Sequence, residues 1–288
     1  MAEITAAPQY EIIVQPSKGW VNINWRELWD YRDLLLLLVK RDFISRYKQT
    51  ILGPAWFIMQ PLLNTLVFTI VFGQIAGIPT DGIPAPLFYL CSQLGWNYFS
   101  QNITTGSATF VNNAHLFGKV YFPRLIMPIS TIVSNLFAFL LQMLPFLAFY
   151  AYYLITGAHG STVHLTAKVL LVPVLLIETA LLSLGVSLWM SAASAKYRDL
   201  VHLNQFITQI WMYGSAVIFP LSKVPPKLLW LVELNPMATV VEGFRISLLG
   251  RGSLSIQQIV ITISITVIIL ISGIVAFQRV ERTVVDSV

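Results

Sequence analysis

Between Ile259 and Phe277 the chain carries no charged residue, and five other stretches approach that character between turns that hold its charges, glycines and prolines. A helix that is apolar all round has no side to give to water, and about 20 such residues cross a bilayer. The stretches run roughly over Trp56–Phe72, Leu87–Val111, Leu125–Ile155, Val169–Ala192, Leu203–Phe219 and Ile259–Phe277. Charged residues make up 11% of the 288, against about 25% in soluble domains. An all-α integral membrane protein with six transmembrane helices is expected, built as one bundle over residues 53–288. The lone cysteine, Cys91, can close no internal disulfide and reads as apolar packing.

Residues 1–27 read as an irregular cytoplasmic lead-in without the apolar core of a secretory signal. Residues 28–52 read as an amphipathic helix in the membrane interface. At helical spacing Leu28, Leu35, Val39, Phe43 and Tyr47 share one face, and Arg41, Ser45 and Lys48 another. Gly53-Pro54 ends it. Between the fifth and sixth spans, Leu228–Leu249 is apolar but broken by Asn235-Pro236, and it carries Glu233, Glu242 and Arg245. A full crossing there is costly, so a re-entrant pair of short helices is expected.

With six spans and both termini cytoplasmic, only Lys168, Lys223, Lys227, Arg245 and Arg251 of the 18 basic residues fall outside. That obeys the positive-inside rule and accounts for the basic balance without nucleic acid. No Walker phosphate loop is present, since Val120 follows Gly118-Lys119 and position 113 is Asn113. The four histidines are scattered without the i,i+4 spacing of a metal site. Glu178 is the one ionisable residue well inside a span, and one glutamate bonded to a nearby Ser or Thr is more often structural than part of a relay. A membrane-embedded lipid-modifying transferase would need convergent His, Asp or Glu residues, and the sequence offers none with useful spacing.

Five motifs stand in order along the chain: Leu52-Gly53-Pro54-Ala55-Trp56 leading to Gln60-Pro61-Leu62; Lys119-Val120-Tyr121-Phe122-Pro123-Arg124; Tyr197-Arg198-Asp199-Leu200; Leu234-Asn235-Pro236 with Glu242-Gly243-Phe244-Arg245; and Arg279-Val280-Glu281-Arg282. Over residues 28–286 they resemble the membrane subunit of bacterial ATP-binding-cassette polysaccharide exporters. The resemblance implies a bacterial inner-membrane permease. Two copies would pair with two separate ATPase chains, which hold the ATP and magnesium, to export a lipid-linked O-antigen, capsule or teichoic acid chain. No cofactor is then expected in this chain. It also implies that Asn113, His115, Leu116 and Phe117, with Tyr197, Arg198 and Asp199, face the ATPase, alongside Arg41 and Arg46 of the interface helix. Asn235, Pro236, Glu242 and Arg245 would belong to an outer gate.

A sugar polymer needs many weak contacts, with aromatic faces for its rings and amides for its hydroxyls. The second span offers both, and Tyr89, Gln93, Trp96 and Ser100 follow one another on one helical face. Those residues, with Tyr98, Phe99, Trp56, Trp211 and Tyr213, are the expected channel lining. The competing reading is an interfacial aromatic belt plus polar glue between helices. A hydrophobic lipid or drug exporter of the same permease fold would have less use for so many amides and hydroxyls.

Overall fold

The computed structural model describes residues 25–48, 52–117, 121–157 and 167–285. Its elements are all helical: α1 (Trp25–Asp30), α2 (Arg32–Tyr47), α3 (Trp56–Phe68), α4 (Ala85–Gly106), α5 (Thr109–Phe117), α6 (Ile126–Thr156), α7 (Val172–Lys196), α8 (Leu200–Tyr213), α9 (Pro226–Glu233), α10 (Pro236–Leu249) and α11 (Ile256–Val285). Short 3₁₀ turns precede α3, α7 and α9, and α3 continues as a π-helical turn over Thr69–Ile75. The expected lead-in lies outside the described residues up to position 24.

Four segments are long and apolar enough to cross a membrane: Gly53–Ile75, Ile126–Thr156, Ala167–Lys196 and Ile256–Glu281. They correspond to the expected first, third, fourth and sixth spans. The second and fifth are different objects. The 22-residue α4 extends about 33 Å but is polar. The 14-residue α8 covers only about 21 Å, and the helix stops at Tyr213, six residues before the expected end. The second span also ends earlier than expected, because Ser107 and Ala108 form a turn before α5 begins. Among the described residues the stretch expected as one interface helix is two pieces, α1 and α2, meeting at Tyr31.

α4 is the hub. It packs against α3, α6, α7, α8 and α10, and most of its side chains are buried. The largest core cluster gathers Phe88, Tyr89 and Phe99 of α4 with Phe139 and Phe146 of α6 and Phe244 of α10. α7 and α11 make the closest helix pair. A Cβ placed on Gly185 would lie 2.8 Å from the backbone of Leu270, so the two backbones touch where a side chain would hold them apart. Outside that seam α11 exposes Ile259, Val260, Ile263, Val267, Ile268 and Ile271, a face suited to lipid. α2 lies on α6, with Leu38 buried against Phe122, Ile126 and Met127. Leu36, Leu37 and Ile44 of α2 stay exposed. Apolar groups on both sides fit a helix held between the bundle and an interface.

Candidate functional site

The polar residues of α4 and the turn after it reach five other helices. Ser92 accepts from Arg245 on α10, and Gln93 donates to Thr65 on α3 at 2.9 Å. Asn97 donates to Gln142 on α6, while Asn102 donates to Ser183 on α7 and accepts from Asn135 on α6. Beyond the helix end, Ser107 accepts from Asn204 on α8. In hydrocarbon a lone amide is costly, and such interhelical bonds contribute about 0.6 kcal/mol each on average. This is polar glue at five interfaces.

The expected channel lining therefore divides. Tyr89, Gln93, Trp96, Tyr98 and Phe99 are buried inside the single chain, and they do not face a path open at its surface. Tyr89 meets Phe68 edge-on, Tyr98 meets Phe139, and Phe99 meets Trp211. The Tyr89–Gln93–Trp96 face is thus covered within its own chain. α3 meets that face through Thr65 and Phe68, and α8 meets the neighbouring Phe99 through Trp211. Ser100 is half-buried at the end of that face, and Trp211 half-buried with its indole N–H donated to Asn235 Oδ1 at 3.0 Å. Trp56 (51% exposed) and Tyr213 remain at the surface.

Sequence reasoning missed what α3 and α8 show outward. Gln60 and Asn64 on α3, and His202, Gln205 and Gln209 on α8, are exposed along helices otherwise faced with Met59, Leu63, Phe206 and Ile210. Their signal was present as amides at i,i+4 spacing on both helices. α3 meets α4 through Gln93, and α8 meets it through Phe99 and Asn204. Each polar stripe thus stands on a helix that packs against α4.

At the outer-gate motif, α10 is buried almost throughout and forms a brace. Arg245 donates to Ser92 Oγ, to the carbonyls of Ala216, Val217 and Phe219, and to Glu242 Oε2, with its guanidinium 4.0 Å from the Phe88 ring. Asn235, the N-cap of α10, accepts from Met237 N–H and donates to Gly214 O and Ser215 Oγ. Both side chains thus bind the non-helical run after α8, where freed carbonyls need partners. Pro236 opens α10 at a position where no backbone N–H is required. Arg245, expected among the charges on the outer side, is buried and ion-paired, because the irregular backbone beside it supplies its acceptors.

At the opposite end, α5 packs on α7, and the Lys196–Asp199 turn follows α7 directly. Tyr197 is 59% exposed, and Arg198 and Asp199 are exposed beside it. Leu116 turns inward onto the Leu38–Phe122–Ile126–Met127 cluster, and Asn113 donates to Thr109 O. Of the expected coupling residues, the side chains of Arg46, His115 and Phe117 lie outside the described ones. Arg41 makes a two-bond contact with Asp42 and borders a polar cavity of about 190 Å³ with Thr105, Asn113 and Ser130. Arg124 donates to the Glu281 carbonyl at 2.8 Å, tying the start of α6 to the end of α11. Glu178 accepts from Thr266 at 2.6 Å, a bond between α7 and α11. Among the described residues no group of His, Cys, Asp and Glu could hold a metal ion.

Residues 33–249 match the family model described as ABC-2 type transporter. The chain belongs to the ABC-2 type transporter family. It is 30% identical over 224 residues to the O-antigen export system permease protein RfbA of Myxococcus xanthus, spanning 76% of this chain and 82% of that one. It is 24% identical over 249 residues to the RfbA protein of Klebsiella pneumoniae, 86% of this chain and 92% of the other. The polysialic acid transport protein KpsM of Escherichia coli is 25% identical over 213 residues, 71% and 77% of the two chains. This ABC-2 transporter chain is thus a multi-pass membrane protein, and the matched stretch runs from α2 through α10, so the buried brace at Asn235 and Arg245 lies inside the family's region.

Proposed function

We propose that the chain is the membrane permease of an ATP-driven exporter that moves a lipid-linked polysaccharide, most simply an O-antigen, across a bacterial inner membrane. The single observation that carries this is the similarity over about three quarters of the chain to proteins named for O-antigen export. A capsule polymer is the second reading, favoured by the similarity to a polysialic acid transport protein. The chain has no phosphate loop, so ATP and magnesium belong to a separate ATPase that docks at Tyr197–Asp199 and the α5 end.

The path is a feature of two copies. One chain buries its polar-aromatic hub, while Gln60 and Asn64 of α3 and Gln205 and Gln209 of α8 stand exposed, and amides turned to lipid would be penalised. A homodimer about a two-fold axis places these stripes, with Trp56 and Tyr213, toward each other and away from lipid. Six crossings per copy then require α4, and α8 with the run behind it, to complete the bundle as the second and fifth. Both termini lie in the cytoplasm, and α9–α10 form the re-entrant outer pair.

The test is deletion of the chain in its own host. Surface polysaccharide should disappear while lipid-linked polymer accumulates inside, and the tagged chain should co-purify with an ATPase. Unchanged surface polysaccharide in the deletion strain would overturn the proposal.

A further inference from the structure

At the end of α3 the helix widens into the π turn Thr69–Ile75, and beside that turn lies a groove of about 530 Å³. Single π turns within helices recur at functional sites, and small-molecule pockets run about 300–1,000 Å³. The wall is formed by Thr69, Gly73 and Gln74 of the π turn, Thr80 of the following loop, Ala85 of α4 and Tyr153 of α6. The floor is shallow in atoms: a Cβ on Gly73 would meet only the Ala85 methyl at 3.6 Å and the Tyr89 ring at 4.0 Å.

Three features define what fits. Among the described residues no charged side chain lines the groove, so a phosphate or carboxylate finds no countercharge from them. The Thr69 hydroxyl is buried and has no hydrogen-bond partner among the described residues. Elsewhere in the bundle, Thr105, Thr179 and Thr208 return their hydroxyls to the carbonyl four residues back. Finally, half-buried Tyr153 brings an aromatic ring to a site that also holds the Gln74 amide. An aromatic face, an amide and an unpaired hydroxyl around an uncharged groove make a set of contacts for a neutral sugar ring.

We propose that this groove between the π turn of α3 and Tyr153 of α6 is a binding subsite for a neutral sugar residue of a glycan. The proposal rests on the polysaccharide-export reading and adds to it a site within one chain, separate from the stripes of α3 and α8. The Thr69 hydroxyl and Gln74 amide bond to sugar hydroxyls, and the Tyr153 ring stacks on the C–H face. Charge plays no part in selection there, so a sugar with a carboxylate or ammonium group binds more weakly because it must be desolvated without a partner.

The experiment uses the full chain with its ATPase in lipid nanodiscs, titrated with neutral methyl glycosides of glucose, galactose, mannose and rhamnose by saturation-transfer NMR. Glucuronate and n-octanol serve as the charged and the purely apolar probe. At least one neutral glycoside should bind, glucuronate should bind more weakly, and Thr69→Val should weaken binding about five-fold, the loss of one net hydrogen bond. A purely structural Thr69 predicts no loss, since removing an unpaired buried hydroxyl is neutral or stabilising. Tyr153→Ala should abolish binding, and a diazirine on the glycoside should label the Thr69–Ala85 or Tyr153 region. No binding by any glycoside, binding indifferent to both variants, or displacement by n-octanol would each overturn the subsite. Surface polysaccharide in the deletion strain is read separately. If it persists the export reading falls, whereas loss of it with no glycoside bound sinks the subsite alone.

Discussion

Arg245 and Glu242, one turn apart on α10, form an ion pair of 2.9 Å in which each side chain is 2% exposed. A buried charge with a partner is tolerable, and one without is not. Arg245→Met strands Glu242, and Glu242→Leu strands Arg245 on carbonyls and one hydroxyl. Each single change should cost about 3–5 kcal/mol in an SDS unfolding titration in mixed micelles. The double variant should cost less than the sum of the two, because no lone charge remains. Additive losses would show that the pair does not act as a unit.

The α7–α11 seam gives a steric prediction. Gly185→Leu should abolish the monodisperse folded peak in size-exclusion chromatography, since the added Cβ lies 2.8 Å from backbone atoms of Leu270 that have no side-chain freedom to yield. Gly214→Ala is the control. Its Cβ meets its nearest neighbour at an ordinary 3.6 Å, and the folded peak should survive.

Asn235 makes a prediction about the α8 end. Asn235→Ala removes the cap of α10, the acceptor of the Trp211 indole and the donor to Gly214 O. The expected loss is about 1–2 kcal/mol, measured by the same unfolding titration. Trp211→Phe leaves the cap and the Gly214 bond in place, so it should cost less than Asn235→Ala.

Coupling to the ATPase is testable at exposed positions. Tyr197→Ala with Arg198→Glu alters a turn that carries no core packing, so membrane abundance should stay at the wild-type level. Export should fall at least ten-fold while the partner's ATP hydrolysis persists. Leu116→Asp is a poorer probe, because Leu116 packs on Leu38 and Ile126 and the change should lower abundance itself.

Topology can be read with membrane-impermeant maleimide on intact cells. A cysteine at Lys223 should label from outside, and one at Lys196 only after permeabilisation, both positions being exposed. The reverse pattern, or equal labelling from one side, would reject six crossings with cytoplasmic ends.

What the sequence by itself determined is the membrane class, four of the crossings and the family. These are written locally: a run such as Ile259–Phe277 has no water-facing side whatever its neighbours, and motifs such as Tyr197-Arg198-Asp199 keep their order in the chain. Glu178, one glutamate in an apolar stretch, accepts from Thr266, a partner of the residue type the sequence offered as one alternative. Tertiary structure decided which way the polar residues face. The spacing of Tyr89, Gln93 and Trp96 specifies a stripe but not what covers it, and the bundle buries that stripe while α3 and α8 present Gln60, Asn64, Gln205 and Gln209 outward. It also decided the end of α8 at Tyr213. That helix stops because Asn235 and Arg245, far along the chain, supply the partners that let the backbone leave helical form, and no local propensity encodes a partner from another helix.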